Sequence, residues 1–310
     1  MREPEPPDLS IILVNWNQLG LTSEALESIR THVQGISYEV FVVDNGSTRD
    51  ESRTAIPARF PWARFVQNPD NRGFSKANNR AVRLAQGRYV LLLNNDTVQI
   101  ENALGEAVRY MDARPELGAL GILHLNRDEA RSVQASFFSF PDPWPEIRSL
   151  CGLGGAKPSP PPDYTCEQDP DWIVGSFLMM RRECYADVGE LDERFFIYDE
   201  DVDWCLRARR AGYGIRFWPG AKMIHVGASA NPFMKDKTLV HFRSHLSYIY
   251  KNHSALAAGC YYLAMAGRLT LATIKSALGM CVGRSNWTAF QQRVFRQRQF
   301  LLLRSGRTGG

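Results

Sequence analysis

Residues 89–97 read YVLLLNNDT. Five apolar residues in a row, with no alternation, suit a strand buried on both faces of a parallel sheet flanked by helices. The run stops at Asn94, Asn95 and Asp96. Asn and Asp fold back onto their own backbone, so a turn accounts for them. A ligand site accounts for them too, because open α/β sheets bind ligands beyond the carboxyl ends of their strands. The stretch by itself leaves both open.

The flanking sequence repeats the pattern. Strands are predicted at 10–14 (SIILV), 39–43 (EVFVV), 118–123 and, more weakly, 64–67. Helices are predicted over 21–32, where apolar residues fall at 25, 26 and 29, and over 100–113. Phe74, Ala77, Ala81 and Leu84 share a third helical face. This βαβαβ order predicts an α/β fold with a doubly wound, mostly parallel sheet. Eight of the seventeen prolines lie between 141 and 170, which predicts an extended loop there. Beyond it, 172–181 is expected as a strand, 200–211 as a helix, and 214–218 and 222–226 as two short strands.

With 310 residues, 44% of them hydrophobic, the chain is globular and can bury a sizeable core, as one domain with an appendage. Six Cys form no CxxC pair, which argues against zinc and a disulfide framework and suits a reducing compartment. MREPEPPDLS has no apolar core behind a basic start, so no signal peptide is expected, and the sequons at Asn45, Asn252 and Asn286 would matter only in a secreted protein. Net charge is +4, but residues 237–310 hold eleven Lys/Arg and no acid, leaving 26 Lys/Arg against 33 acids in the body. A basic tail on an acidic body points to an anionic partner for the tail, membrane or nucleic acid. No RNA or DNA module accompanies it, so nucleic acid is not expected. Residues 255–283 are apolar but interrupted by Arg268 and Lys275, which counts against a membrane span and places both cations on one helix face. In 288–304, Phe290, Val294 and Leu301 oppose several arginines. Such a helix suits an anionic membrane surface, and the alternative is a helical pair packed on the body.

Three strand ends are polar: Asn15-Trp16-Asn17, Asp44-Asn45 and Asn94-Asn95-Asp96. In a parallel sheet they crowd one edge, where a ligand would sit. The absence of GxGxxG after the first strand and of GxxxxGK[ST] argues against dinucleotide-binding and P-loop folds. The densest acidic cluster is FFIYDEDVDWCLRARRAG (195–212), with Asp199, Glu200, Asp201 and Asp203. Acids at a helix start complement its dipole, yet four in five residues exceed what a cap requires. Phe195, Phe196, Tyr198 and Trp204 surround them, and crowded carboxylates beside apolar groups have raised pKa values, which suits a general base. His225, in KMIHVGAS, follows a strand; a lone His is more often structural than a ligand.

VVDNGS (42–47), NRGFSKANN (71–79), LLLNNDT (91–97), WIVGSFLMMRRE (172–183), FFIYDEDVDWCLRARRAG (195–212) and HVGAS (225–229), in this order, resemble glycosyltransferase family 2, most closely its rhamnosyltransferase-type branch. The resemblance implies a GT-A fold over 1–252, with a helical basic extension over 253–310. It implies an inverting transfer of a sugar, rhamnose in this branch, from a dTDP- or UDP-linked donor to a glycan or lipid-linked acceptor in cell-envelope polysaccharide synthesis. By the match, Asp44 and Asn15 hold the nucleotide, and Asn71 and Gly73 wrap the donor. Asn95 and Trp204 are expected on the donor side as well. Asp96 and His225 bind Mg²⁺ or Mn²⁺, and Asp201, beside Glu200, is the catalytic base. Two positions depart from the pattern: Asn94 replaces the first acid of the metal-binding DxD, and Ala228 replaces a common Gly. The basic tail would place a cytoplasmic enzyme on the inner face of the membrane. The alternative is a non-catalytic nucleotide-sugar- or glycan-binding protein on the same scaffold.

Overall fold

The computed structural model describes residues 5–154, 162–227, 237–281 and 287–302. Part of the PSPPP run, Ala228, Asn286 and the end of the basic segment at 303–304 lie outside the described residues.

The chain alternates strand and helix: β1 (Leu9–Asn15), α1 (Leu19–His32), β2 (Tyr38–Asn45), α2 (Ser52–Arg59), β3 (Arg64–Asn68), α3 (Phe74–Val82), β4 (Tyr89–Asn94), β5 (Thr97–Gln99), α4 (Ala103–Asp112) and β6 (Leu117–Leu125). Two short strands, β7 (Val133–Gln134) and β8 (Phe137–Phe138), precede α5 (Pro143–Leu150). Then come β9 (Trp172–Ile173), β10 (Phe177–Arg181), α6 (Arg182–Val188), α7 (Glu200–Arg210) and β11 (Gly214–His225). Three helices follow: α8 (Lys237–Asn252), α9 (Ala255–Cys281) and α10 (Trp287–Leu302).

The unbroken apolar runs are explained by a core on each face of the sheet. Ile11, Leu13, Val40, Val42, Leu91 and Leu93 pack with α1 and α4 residues such as Leu26, Leu104 and Val108. Their neighbours Ile12, Phe41, Val43, Val90 and Leu92 point the other way, toward Ala77 and Ala81 of α3 and Trp204 of α7. Full burial of one such side chain stabilises the fold by about 1.5–3 kcal/mol.

The strand order is β3-β2-β1-β4-β10-β6-β11-β5, with β7 added onto β6. Strands β1 to β4 are mutually parallel, and β11 is parallel to β6. β10 enters antiparallel between β4 and β6, and β5 runs antiparallel to β11. As a result Asn15, Asp44, Asn94 and His225 finish their strands at the edge where β10 and β5 begin.

Several segments differ from expectation for local reasons. The two short strands at 214–226 are one strand, β11, whose register shifts between Trp218 and Lys222; Pro219 lacks the N–H to pair there. Residues 172–181 split into β9 and β10 around a turn at Gly175. The Pro-rich 141–170 segment contains α5, with Asp142 accepting from Trp144 N–H at 3.0 Å and Pro143 in the first turn, a position that tolerates proline. Proline density therefore signalled a helix start as well as a loop.

The chain divides into two compact units, 1–140 with 162–234, and 141–161 with 235–310. The second unit holds α5 and α8 to α10, so α8 belongs with the tail helices. Within it, His245 Nε2 lies 3.0 Å from Glu146 Oε2, and Tyr262 stacks on Phe300 with centroids 5.1 Å apart. One face of α9 stays exposed: Leu256, Leu263, Leu271, Ile274 and Leu278, with Arg268 and Lys275 beside them. Ala255–Met280 is long and apolar enough to cross a membrane, and only 28% of its most apolar window is buried.

Candidate active site

β1 and β2 pair in register so that Asn15 lies opposite Asp44. Asp44 is fully buried and accepts from two donors, Asn15 Nδ2 at 3.0 Å and Ser47 N–H at 3.1 Å, with the Arg53 guanidinium as an ion-pair neighbour at 3.6 Å. Asn15 also donates to Ser47 Oγ at 3.1 Å and accepts from Thr22 at 2.8 Å. The turn that brings Ser47 back requires Gly46, whose φ is +79°; a Cβ there would sit 2.5 Å from the Asp70 backbone. Asn45 Nδ2 donates to Asn71 Oδ1 at 2.9 Å, and Asn71 Oδ1 also accepts from Gly73 N–H at 3.0 Å. Gly73 has φ +86°, and a Cβ would meet the Phe196 carbonyl at 2.5 Å. The 71–73 loop is thus clamped between β2 and the segment leading to the acidic cluster.

At the end of β4, Asn94 N–H donates to Ser176 O at 3.1 Å, tying the turn before β10 to the same edge. Asp96 Oδ2 accepts from Gly227 N–H at 3.1 Å, and its Oδ1 lies 3.4 Å from His225 Nε2. Both side chains are about one-tenth exposed. His225 Nδ1 contacts Gln134 Oε1 at 2.6 Å. His124 lies behind, its ring 5.7 Å from that of His225. Burial, and then proximity to His225, push the His124 imidazole down to about 3, so it stays neutral and does not repel a cation.

Among the described residues no group of three or more His, Cys, Asp or Glu could hold a metal by itself. Asp96 and His225 form a two-ligand set with a hard oxygen and an imidazole. That fits a divalent ion whose remaining ligands are diphosphate oxygens and water, since Mg²⁺ takes one or two carboxylates plus substrate phosphates. Cis ligands on an ion with bonds of about 2.1 Å lie about 3 Å apart, close to the separation between Asp96 and His225.

The acidic cluster opens α7. Tyr198 and Asp199 take left-handed conformations, φ +74° and +64°. Such residues cost about 1–3 kcal/mol each and persist only where the surroundings hold them. They turn the chain so that Glu200, Asp201 and Asp203 fall in the first helical turn. Asp203 is paired with Arg207 at 2.9 Å and is structural. Asp201 Oδ2 accepts from Gly175 N–H at 2.8 Å, and its Oδ1 from Val202 N–H at 2.9 Å. Burial pushes its carboxyl up to about 6, against the Gly175 hydrogen bond, which favours the ion. Glu200 is 5% exposed, and its Oε2 has no hydrogen-bond partner among the described residues. Burial, and then repulsion by Asp201, hold it well above the usual carboxylate range. Gly175 directly precedes Ser176, so two backbone hydrogen bonds link Asp201 to the end of the NNDT strand.

The fold therefore brings Asn15, Asp44, Asn71, Gly73, Asp96, His225, Glu200 and Asp201 to one sheet edge. Two expected donor contacts do not fit. Trp204 is fully buried in the core, its indole N–H donating to Gly189 O at 3.0 Å. Four residues before the buried Ala208, this large aromatic serves the packed face of α7. Asn95, in the two-residue turn between β4 and β5, turns into the fold, donating to Thr22 Oγ1 at 2.8 Å and Gln18 Oε1 at 3.3 Å. Sequence reading missed Ser47, Arg53, Gly175 and Gln134. An isolated Gly between apolar runs is a signal for Gly175; nothing in the local sequence singles out Gln134.

Comparisons with known proteins bear on the family and the fold. Residues 10–158 match the model for glycosyl transferase family 2, and residues 89–281 that for glycosyl transferase family group 2. Rhamnosyltransferase WbbL of Escherichia coli is 32% identical over 183 residues, 56% of this chain and 67% of that protein. The N-acetylglucosaminyl-diphospho-decaprenol L-rhamnosyltransferase of Mycobacterium tuberculosis is 28% identical over 209 residues, 60% of this chain and 66% of that protein. The chain thus spans about two thirds of the length of these relatives. Among solved structures, a mannosyltransferase from Pyrobaculum calidifontis in complex with GDP-Man and Mn²⁺ superposes with a TM-score of 0.55 at 16% identity, covering 98% of this chain and 89% of that one. GalNAc-T7 with UDP, GalNAc and Mn²⁺ gives 0.56 at 13% identity, over 80% and 48%. The fold is GT-A, and the chain belongs to glycosyltransferase family 2, in its rhamnosyltransferase-like branch.

Proposed function

We propose that the protein is an inverting transferase that moves a sugar, rhamnose by its relatives, from a dTDP- or UDP-linked donor to a hydroxyl of a glycan or lipid-linked acceptor in cell-envelope polysaccharide synthesis. The observation that carries this is the acid pair: a base with its pKa near neutrality, fixed by backbone, at the sheet edge that also bears Asp44 and Asp96.

Asp44 and Asn15 take the nucleobase. Asp44 is fully buried, so a base that reaches it displaces Arg53. The Asn71–Gly73 loop closes on the donor. Asp96 and His225 would hold Mg²⁺ or Mn²⁺, which would supply Lewis-acid neutralisation of charge on the diphosphate leaving group. Asp201 accepts the acceptor's hydroxyl proton as that oxygen attacks the anomeric carbon. A positioned general base typically contributes about 10²–10⁴-fold. Glu200, its carboxyl raised by burial and then by Asp201, is biased toward the neutral form, which lessens the negative charge beside Asp201 as the nucleophilic oxygen forms. One base and no carboxylate nucleophile give a single displacement, with inversion.

The exposed apolar face of α9, flanked by Arg268 and Lys275, supports association with an anionic membrane surface, where lipid-linked acceptors reside. This would put the enzyme on the cytoplasmic side of the cell membrane.

Thermal stability against dTDP, UDP and GDP, each with and without Mn²⁺, tests the donor class. A ligand at about 100 times its Kd adds about 2.7 kcal/mol. A metal-dependent rise with dTDP or UDP is expected; no response to any nucleotide would sink the transferase reading.

A further inference from the structure

His225 can serve a metal only if the ring nitrogen facing the site carries a lone pair and no proton. Heavy-atom positions do not give the tautomer directly, but the hydrogen-bond chain behind the ring does. The hairpin joining β6 to β7 pairs His124 with Gln134 and returns the chain at Asn126 and Ser132. At its outer end Asp128, an acceptor, takes the Ser132 backbone N–H at 2.9 Å and the Ser132 hydroxyl proton. Ser132 Oγ has then spent its proton and must accept from the next group, Asn126 Nδ2 at 3.0 Å. That turns Asn126 Oδ1 toward Gln134, whose Nε2 donates to it at 3.0 Å. The His225 carbonyl, 3.5 Å from the same Nε2, fixes the amide in the same sense. Gln134 Oε1 consequently faces His225 Nδ1 at 2.6 Å, a distance that requires a proton on Nδ1.

In the neutral ring Nε2 is then bare. It lies 3.4 Å from Asp96 Oδ1, so two lone pairs face each other with no proton between them. Asn94 Nδ2, also at 3.4 Å, is too long to satisfy Nε2 well. Such an arrangement favours a cation between the facing donors.

We infer that Gln134 is a positioning residue: its side-chain carbonyl holds His225 as the Nδ1–H tautomer and thereby aims Nε2, beside Asp96, at the divalent ion. The inference rests on the metal reading proposed above. Partners behind a ligating histidine typically govern metal affinity by about 10- to 100-fold. Because the direction of every bond in the chain is set at Asp128, the role does not depend on Gln134 being buried, and Asn126 is its nearest support.

Two readouts on the full-length chain test it. With [¹⁵N]histidine labelling at about pH 8, above the ordinary histidine pKa, long-range ¹H–¹⁵N correlation reads the His225 tautomer with no metal present. Mn²⁺ affinity in the presence of saturating dTDP is measured separately by electron paramagnetic resonance. Wild type is expected to show Nδ1–H. Gln134→Met, which keeps length but removes the acceptor, is expected to lose that tautomer and to weaken Mn²⁺ by about 10- to 100-fold, with metal-free dTDP affinity unchanged. Gln134→Glu keeps an acceptor toward Nδ1; the Asn126 amide can rotate to meet it if the Ser132 hydroxyl turns its proton from Asp128 to Asn126 Oδ1, Asp128 keeping the Ser132 N–H, and the variant is expected to restore both. An Nε2–H tautomer in wild type, or Gln134→Met binding Mn²⁺ as wild type does, overturns the inference. Absence of Mn²⁺ binding by wild type overturns the metal reading instead, and the metal-free tautomer measurement keeps the two failures apart.

Discussion

Two buried carboxylates sit at the same sheet edge in opposite circumstances. Asp44, at the end of β2, accepts from Asn15, from Ser47 and lies against Arg53. Glu200, at the start of α7, keeps one oxygen with no partner and stands next to Asp201, and its pKa is driven up. Burial is comparable; the supply of donors is not. Hydrogen bonds to the charged form favour it, and desolvation without them disfavours it. A carboxylate given donors is suited to recognising a nucleobase, and one deprived of them is biased toward its neutral form beside the proposed base. The amino-acid type carries no information about which role it will have; the neighbouring backbone does.

The sharpest way to break this contrast is Asp201→Asn. Transfer is expected to fall by about 10²–10⁴-fold, while donor binding by calorimetry stays unchanged. The same variant should be more stable than wild type near neutrality. A carboxyl raised by burial favours folding while protonated, and that contribution is lost as pH rises through about 6. Asparagine has no such loss, and each kcal/mol recovered raises Tm by roughly 2 °C or a little less for a chain of this size. Unchanged transfer would remove Asp201 as base. A related measurement is the pH dependence of kcat/KM, expected to rise tenfold per unit below about 6 and level off above it.

On the other side of the comparison, Asp44→Ala leaves Asn15 Nδ2 and Ser47 N–H without their acceptor. Each buried orphan costs about 1–3 kcal/mol, so lower Tm and weaker dTDP or UDP binding are expected together. Nucleotide affinity unchanged in a folded Asp44→Ala protein would move the base site elsewhere. Trp204→Phe separates core from site: it should cost about 1–3 kcal/mol of stability through the smaller ring and the lost indole hydrogen bond, with Gly189 O keeping only the 3.5 Å bond from Arg207, and leave nucleotide affinity untouched. The smallest effect concerns the tail. Arg268→Glu with Lys275→Glu should weaken pelleting with phosphatidylserine vesicles, since each cation near such a surface contributes about 1 kcal/mol. Equal pelleting would argue that this face of α9 does not meet lipid.

The sequence made the sheet legible because burial on both faces leaves a signature that survives in one dimension: SIILV, EVFVV and YVLLL could hardly be anything else. The acid pair was equally visible, as four acids in five residues. What escaped were features that depend on neighbours distant in the chain. Trp204 was drawn toward the site by adjacency to the acids, when helical spacing put it in the core. Asn95 was taken with Asp96, though within their shared turn it bonds inward to Thr22 and Gln18. The antiparallel course of β10, the join across Pro219 and the Gly175 contact are decided by which strands meet, and no local pattern records that.

That Gly175 contact carries one more consequence. Asp201, the proposed base, is aimed by a peptide N–H, a group present in nineteen of the twenty amino acids. A Cβ at 175 would meet Asp201 Oδ2 at 3.4 Å, ordinary contact distance. Side-chain drift at this position therefore leaves the aim of the base intact, and proline alone among substitutions deletes it outright. The proposed proton acceptor is held by the part of the chain least exposed to mutation.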